Sequence, residues 1–389
     1  MSVQKLMVER GYETAHLTRA IQGRLGLRPR VVDDKTQIFR SIGESQDPVQ
    51  AGKRTLLLTG NRGRFVRDCP GTRHYHCCGY RILHVGSFCS MDCSYCILQS
   101  YFHPPLLQLF VNTEDMAAEL EGLFEEYRVS RVGTGEFTDS LIWNQWSELC
   151  PELVTCFGRQ RRAVLELKTK TTLIEGLEHL AHHGKTVMAW SVNTDKIVAE
   201  EERGTASLDA RLRAARSCAE QGYPLAFHFD PIIIYEGCRS DYRRVVDRIA
   251  AAVPAERIAW ISLGSLRFMP ALKAIIQQRF ANSRIVYGEF VRGLDGKMRY
   301  FKPLRIRLYR DIAERIRLRM PETLVYYCME DDEVWRRTLG FAPQEKGGLA
   351  RMLDERAVRV CDLDHGLLTQ SQGLPAAGES IDTPGETYR

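Results

Sequence analysis

The stretch KTVMAWSVNTDKIVAEEERGTASLDARLRAARSCAEQGYPLAFHFDPIII, residues 185–234, reads as strand, helix, strand. KTVMAWSVN is a short apolar run of strand length. TASLDARLRAARSCAEQG begins with Thr or Ser and stops at Gly222, as a helix does. YPLAFHFDPIII is apolar again. Strands separated by helices of ten or more residues argue for parallel βαβ units.

The same alternation continues in both directions. Upstream, AVLELKTK from Ala163 alternates apolar and polar residues as a strand, and LIEGLEHLAHHG after it is expected to be a helix ended by Gly184. VSRVG from Val129 is a candidate strand. Before it, Met116, Leu120, Leu123, Phe124 and Tyr127 recur at helical spacing behind Thr113, an expected N-cap. Downstream come YRRVVDRIAAAV, RIAWISL and ALKAIIQQRF. Five or six such units fit a partial or full barrel, in which chemistry gathers at the C-terminal ends of the strands.

The chain has 389 residues, 44% apolar and 26% charged, with a formal net charge of +5. That is ordinary globular usage, so a sizeable core needs no metal or disulfide staple. The overall charge does not argue for nucleic-acid binding; only a local patch can. The first twenty residues mix charges with apolar residues and no run of about 18 apolar residues occurs, so neither a signal peptide nor a membrane span is expected. The expected location is cytoplasmic. The 12 cysteines then point to metal or redox chemistry rather than disulfides.

FCSMDCSYC, residues 88–96, holds Cys89, Cys93 and Cys96 in a CxxxCxxC pattern. Thiolates are the usual ligands of iron–sulfur clusters, and a [4Fe–4S] cubane takes four, one per iron. Three close cysteines leave one iron open to the amino and carboxylate groups of a small molecule. That arrangement can reduce S-adenosylmethionine and release a 5′-deoxyadenosyl radical. The competing readings are chance spacing of buried thiols and a zinc site completed by Cys77, Cys78, His74 or His76.

With Tyr95 before the last cysteine, the pattern resembles the radical S-adenosylmethionine superfamily. CPGTRHYHCCGYRILHVGSFCSMDCSYCILQSYF, from Cys69 to Phe102, is similar to the spore photoproduct lyase family, as are SVNTDKIVAEEERGTASLDARLRAARSCAEQGYPLAFHFDPIIIYEG and SLGSLRF. The resemblance runs from about residue 54 to about 330. It implies a partial (β/α)6 TIM-like barrel with N- and C-terminal extensions, and a lyase that cleaves the methylene bridge of a thymine dimer in DNA. It implies that Cys89, Cys93 and Cys96 hold the cluster and that Tyr95 lies beside it in a catalytic role. By the same resemblance Gly135, Glu136, Lys170, Ser191 and Asp230 are expected at the S-adenosylmethionine. Two departures stand out. Ile97 replaces a second tyrosine, and Phe137 occupies the place of the family's hydrogen-donating cysteine. Cys238, Cys150 and Cys328 are candidate substitutes. The alternative reading keeps the radical chemistry and moves it to RNA, a peptide or a small metabolite.

The expected organisation is a polar, partly helical segment over 1–53, the barrel over 54–290, a basic region over 291–370 and a disordered tail over 371–389. KMRYFKPLRIRLYRDIAERIRLRMP, from Lys297, carries nine Lys or Arg against two acids. Pro303 can start a helix there, with Leu304, Leu308, Ile312 and Ile316 on one face. Lys297, Arg299, Tyr300, Lys302 and Arg305 are the candidate nucleic-acid contacts, because the resemblance places a basic DNA-binding hairpin nearby; a solvated helix face is the bland alternative. DNA, a one-electron donor such as flavodoxin or ferredoxin, and a monomeric state complete the expectations.

Overall fold

The computed structural model describes residues 3–72 and 74–370. The expected disordered tail lies outside the described residues. One sheet of eight strands dominates, in the order Val66–Asp68, Arg81–Leu83, Ser130–Gly133, Ala163–Thr169, Thr186–Ser191, Leu225–Ile232, Ile258–Ser265 and Leu324–Tyr327. Every neighbouring pair is parallel except the first. The central strands are buried along their whole length, as expected when helices cover one face and the lumen the other. No pairing joins the two edge strands among the described residues, so the sheet curls into an open half-barrel. It has seven parallel strands, one beyond the six expected.

Helices Leu208–Glu220 and Cys238–Ala252 cover the outer face, the first capped by the Ser207 hydroxyl, which accepts from the Ala210 N–H. Register decides what faces inward. Lys168 lies opposite Ala189, Ser191 opposite His228, and His228 opposite Ser262. Residues paired this way share a face, so Glu166, Lys168, Lys170, Ser191, His228 and Ser262 line the lumen, while Leu165 and Leu167 pack outward.

Two expectations need correction. Residues 173–184 form turns rather than a helix, because Gly176, His179, His183 and Gly184 all adopt left-handed backbone. The N-terminal segment contains the expected helices, His16–Leu25 among them, and also two strands, Lys5–Glu9 and Arg30–Val32. These join Thr55–Thr59, Leu107–Phe110 and Gly86–Ser87 in a second sheet of five strands.

Three further features shape the mouth. Phe290–Arg292 and Met298–Tyr300 form an antiparallel hairpin, paired through Met298–Tyr300 to Arg267–Phe268. Helix Lys302–Arg319 follows, burying Leu308, Ile312 and Ile316 as its spacing predicts. Residues 69–72 and 74–79 lie at the open seam between the first and last parallel strands. There the His76 N–H donates to the Glu330 carbonyl at 3.3 Å, and His76 Nε2 lies 2.5 Å from Asp332 Oδ1. No helix among the described residues is long and apolar enough to cross a membrane.

Candidate functional site

The cysteine loop is fixed by buried charge. Lys53, only 3% exposed, donates to Asp92 Oδ1 at 2.6 Å and to the Met91 carbonyl, and Arg279 reaches the same Asp92 oxygen at 3.1 Å. Arg279 also donates to Gln99, whose amide donates in turn to the carbonyls of Cys93, Ser94 and Cys96 at 3.1–3.2 Å. Asp92–Cys93 pairs antiparallel with Glu202–Arg203. The backbone at Met91, Cys93, Ser94 and Cys96 is therefore held by side chains outside the motif.

Cys89 and Cys93 are buried and Cys96 is half-buried. Burial pushes the Cys89 thiol up to about 12, with Asp139 and Cys96 adding to it. Burial also raises Cys93 well above the usual thiol range, against the pull of Lys170, and Cys96 and Cys89 raise it further. The three thiols thus sit within one another's electrostatic reach, and buried anionic sulfur there needs cationic partners. Among the described residues no three ligating side chains converge as a single metal ion requires. The donor set itself, three thiols on one loop, is of the kind that ligates an iron–sulfur cluster, one thiolate per iron.

Lys170 and Tyr95 lie together over this loop, the ammonium 5.8 Å from the ring centroid. The Tyr95 hydroxyl donates to Glu202, and burial, then Glu202, pushes its pKa well above the usual phenol range. Glu202 also accepts from fully buried Arg211 at 2.5 Å, and Arg211 donates to the Ser191 carbonyl at 2.9 Å. Asp139 accepts from the Lys170 N–H at 2.8 Å and from the Thr169 hydroxyl at 2.9 Å, fixing the strand end that carries Lys170. Lys170, held by Asp139, is thereby brought to Tyr95 on the cysteine loop, while Ser191 is linked to Tyr95 only through its carbonyl, by way of Arg211 and Glu202. Sequence reasoning missed Asp139, Glu202 and Arg211, because each partner lies on a different element.

The remaining candidates gather on the other half of the mouth. Gly135 stands against Lys168, where a Cβ would come 2.9 Å from the lysine Cβ. Burial acts to lower the Lys168 pKa, but Glu136, Glu166 and Asp230 outweigh it and raise the value. Asp230 forms a two-pronged pair with Arg267 at 3.0 and 3.2 Å. Below them Glu166 accepts from Trp260 at 2.9 Å and lies 3.4 Å from His228 Nε2, whose Nδ1 is 2.6 Å from the Ser262 hydroxyl. Glu136 is exposed at the rim.

The candidate nucleic-acid contacts do not survive as a set. Arg299 is buried, pairs with Asp295 at 2.6 Å and stacks over Tyr75; Arg305 is buried and makes a two-pronged pair with Glu330 at 2.9–3.0 Å. Tyr300 is buried, its hydroxyl accepting from the Ile234 N–H at 3.2 Å. Lys302 bridges Asp331 and Glu333, and Lys297 lies 3.8 Å from Asp295. Their charges are spent inside the protein on acids that lie mostly outside the basic run. What the hairpin does expose is Val291, Arg292 and Leu294, the last 74% exposed.

A family model described as spore photoproduct lyase matches residues 74–327, well over half of the chain. The chain belongs to the spore photoproduct lyase family. Spore photoproduct lyase of Bacillus subtilis (strain 168) is 27% identical over 206 residues, covering 52% of this chain and 60% of that protein. Its counterpart from Geobacillus sp. (strain Y412MC61) is 26% identical over 268 residues, covering 67% of this chain and 76% of the relative. A solved spore photoproduct lyase double mutant with bound AdoMet and dinucleoside spore photoproduct superposes with a TM-score of 0.75 at 23% identity, covering 84% of this chain and 98% of that one. That likeness establishes the half-barrel as the fold of the family.

Proposed function

We propose that this chain is a radical S-adenosylmethionine lyase that cleaves the methylene bridge of a thymine dimer of the spore photoproduct type in DNA. One observation carries the reading. A single loop presents Cys89, Cys93 and Cys96 together at the C-terminal mouth of an open parallel barrel, in a chain of this family. Those cysteines would hold a [4Fe–4S] cluster, with S-adenosylmethionine beside it. Bound there, the two would supply a primary carbon radical able to take a hydrogen atom from the lesion.

The chain's own residues support such chemistry. Lys170 is placed to meet a carboxylate, and the buried Glu202–Arg211 pair holds Tyr95 against the cysteine loop. Inward-facing Ser191, Lys168 and Asp230 give the lumen polar contacts for an adenosyl group and a pyrimidine. The curled sheet walls water away from a radical. The exposed hairpin tip, with Arg292, Val291 and Leu294, offers one cation for a phosphate and apolar side chains to press against bases. A one-electron donor of the flavodoxin or ferredoxin kind and a monomeric, cytoplasmic enzyme complete the proposal.

The reading with a different substrate is not favoured. It rests on Phe137, which packs 4.7 Å from the His84 ring and 6.3 Å from the Phe102 ring and carries no thiol. The family match nonetheless runs through that segment. Anaerobic turnover with S-adenosylmethionine and irradiated DNA tests the proposal. Loss of thymine dimers together with 5′-deoxyadenosine supports it; deoxyadenosine with every dimer intact removes the substrate assignment.

A further inference from the structure

After the bridge breaks, one thymine is left with an unpaired electron on its methylene carbon and needs a hydrogen atom to become a methyl group. A thiol is a suitable donor, and the structure sorts the thiols by place. Cys89, Cys93 and Cys96 belong to the cluster loop. Cys150 is buried behind the mouth, its thiol 3.4 Å from the Ser140 carbonyl. Cys156 and Cys218 lie on the helices Leu149–Gly158 and Leu208–Glu220, and Cys361 is buried at the end of Leu349–Val360. Cys238 starts an outer helix. The remaining four, Cys69, Cys77, Cys78 and Cys328, meet at the seam, beside the last parallel strand.

Cys328 is the one held by the barrel itself. It follows the strand Leu324–Tyr327 and alternates with Tyr326, whose register partner is the lumen residue Ser262. Its N–H donates to the Leu263 carbonyl at 3.4 Å. Its thiol lies within electrostatic reach of Arg267, Asp230, Glu136 and Cys69, all at the mouth. Gly264, on the neighbouring strand, lets the Asp230–Arg267 pair close directly over its backbone, since a Cβ there would come 2.8 Å from Asp230 and 2.9 Å from Arg267. Across the seam the Thr72 hydroxyl sits 3.5 Å from the Met329 sulfur, which brings the Cys69 loop against the same strand end.

We propose that Cys328 gives the hydrogen atom to the substrate radical, with Cys69 as the thiol next to it. The proposal rests on the function argued above. The Cys328 S–H bond breaks homolytically, a C–H bond forms on the methylene carbon, and a thiyl radical remains on Cys328. A low-molecular-weight thiol resets it: the S–H bond of that thiol breaks as the Cys328 S–H bond reforms, and the small thiyl radicals so produced pair, two per two turnovers, into a disulfide. Protonation states agree with this choice. Burial pushes Cys328 up to about 11, so it keeps its hydrogen at neutral pH. The Cys77 thiol is shifted the other way, lowered first by the hydrogen bond from Cys78, which makes it the poorer hydrogen-atom donor of the two.

Two measurements test it. Turnover in deuterium oxide should place deuterium in the methyl group of repaired thymine, because thiol hydrogens exchange with solvent. Cys328→Ser and Cys328→Ala should still form 5′-deoxyadenosine and lose that label, while Cys156→Ser keeps it. Label at the wild-type level in both Cys328 variants overturns the proposal. The second readout needs no turnover. Lesion-containing DNA bound to the anaerobic holoenzyme at about pH 9, without reductant, should slow the prolonged alkylation of Cys328 by iodoacetamide relative to the DNA-free holoenzyme, a pH at which a small thiolate fraction makes the labelling measurable by mass spectrometry. Undiminished alkylation with the lesion bound overturns the proposal even where repair is intact. Absence of dimer loss in the wild type instead overturns the function argued above, and this inference with it.

Discussion

Lys53, the last residue of the helix Pro48–Lys53, reaches the cysteine loop and is nearly fully buried against Asp92 and the Met91 carbonyl. Removing one member of a buried pair leaves an undercompensated charge, and Asp92 would keep Arg279 as its cation and the Gln50 amide as a neutral donor. Lys53→Met should therefore cost about 3 kcal/mol, read by urea denaturation, and reduce iron uptake on anaerobic reconstitution. Glu166 gives a pH-dependent counterpart. Burial alone would raise its pKa, but His228, Lys168 and Trp260 outweigh that and hold it at about 2, below the ordinary 4.5. Its ionised form is thus favoured by folding. The stability it contributes is complete above 4.5 and is lost as pH falls toward about 2. Glu166→Gln should lower stability at neutral pH and make the acid limb of a stability–pH curve shallower.

At the scale of elements, the hairpin Phe290–Tyr300 and the helix after it divide the basic segment into two kinds of arginine. Arg305 is an internal strut, paired with Glu330 and donating to the Tyr300 carbonyl at 2.5 Å. Arg305→Ala should cost about 3–5 kcal/mol and lower Tm. Arg292, exposed on the hairpin, should leave Tm unchanged when replaced by Ala and weaken DNA binding, with the salt dependence of log K reduced by about one unit of slope. A salt titration of both variants separates the two roles. A single sequence does not make this division. The basic run from Lys297 to Arg319 is plain, but Asp295, Glu330 and Asp331, which neutralise it, lie outside that run. The hairpin itself is hidden because GLDG between two short strands blends into a charged stretch.

For the whole molecule, legibility follows periodicity. The strands from Ala163, Thr186, Leu225 and Ile258 carry their pattern locally, so their order and inward-facing residues are readable from the residues alone. Residues 173–184 are not: LIEGLEHLAHHG has helical composition, and only its left-handed backbone positions forbid the helix. The cysteine motif is equally local, and Lys170 lies over the ring of Tyr95 within it. What stays illegible is long-range: the Lys53–Asp92–Arg279 clamp, the Glu202–Arg211 pair, and the seam that brings Cys69 to Cys328. Each joins residues from separate elements, and a single sequence carries no trace of such pairings.

The proposed function has one requirement, that Cys89, Cys93 and Cys96 hold an iron–sulfur cube with a vacant corner. Low-temperature EPR of the anaerobically reconstituted, reduced protein, recorded with and without S-adenosylmethionine, tests this most directly. The account predicts a reduced-cluster signal that changes shape when the cofactor is added and disappears in Cys93→Ser. Stoichiometric zinc in place of iron, or a cluster signal indifferent to S-adenosylmethionine, would contradict it.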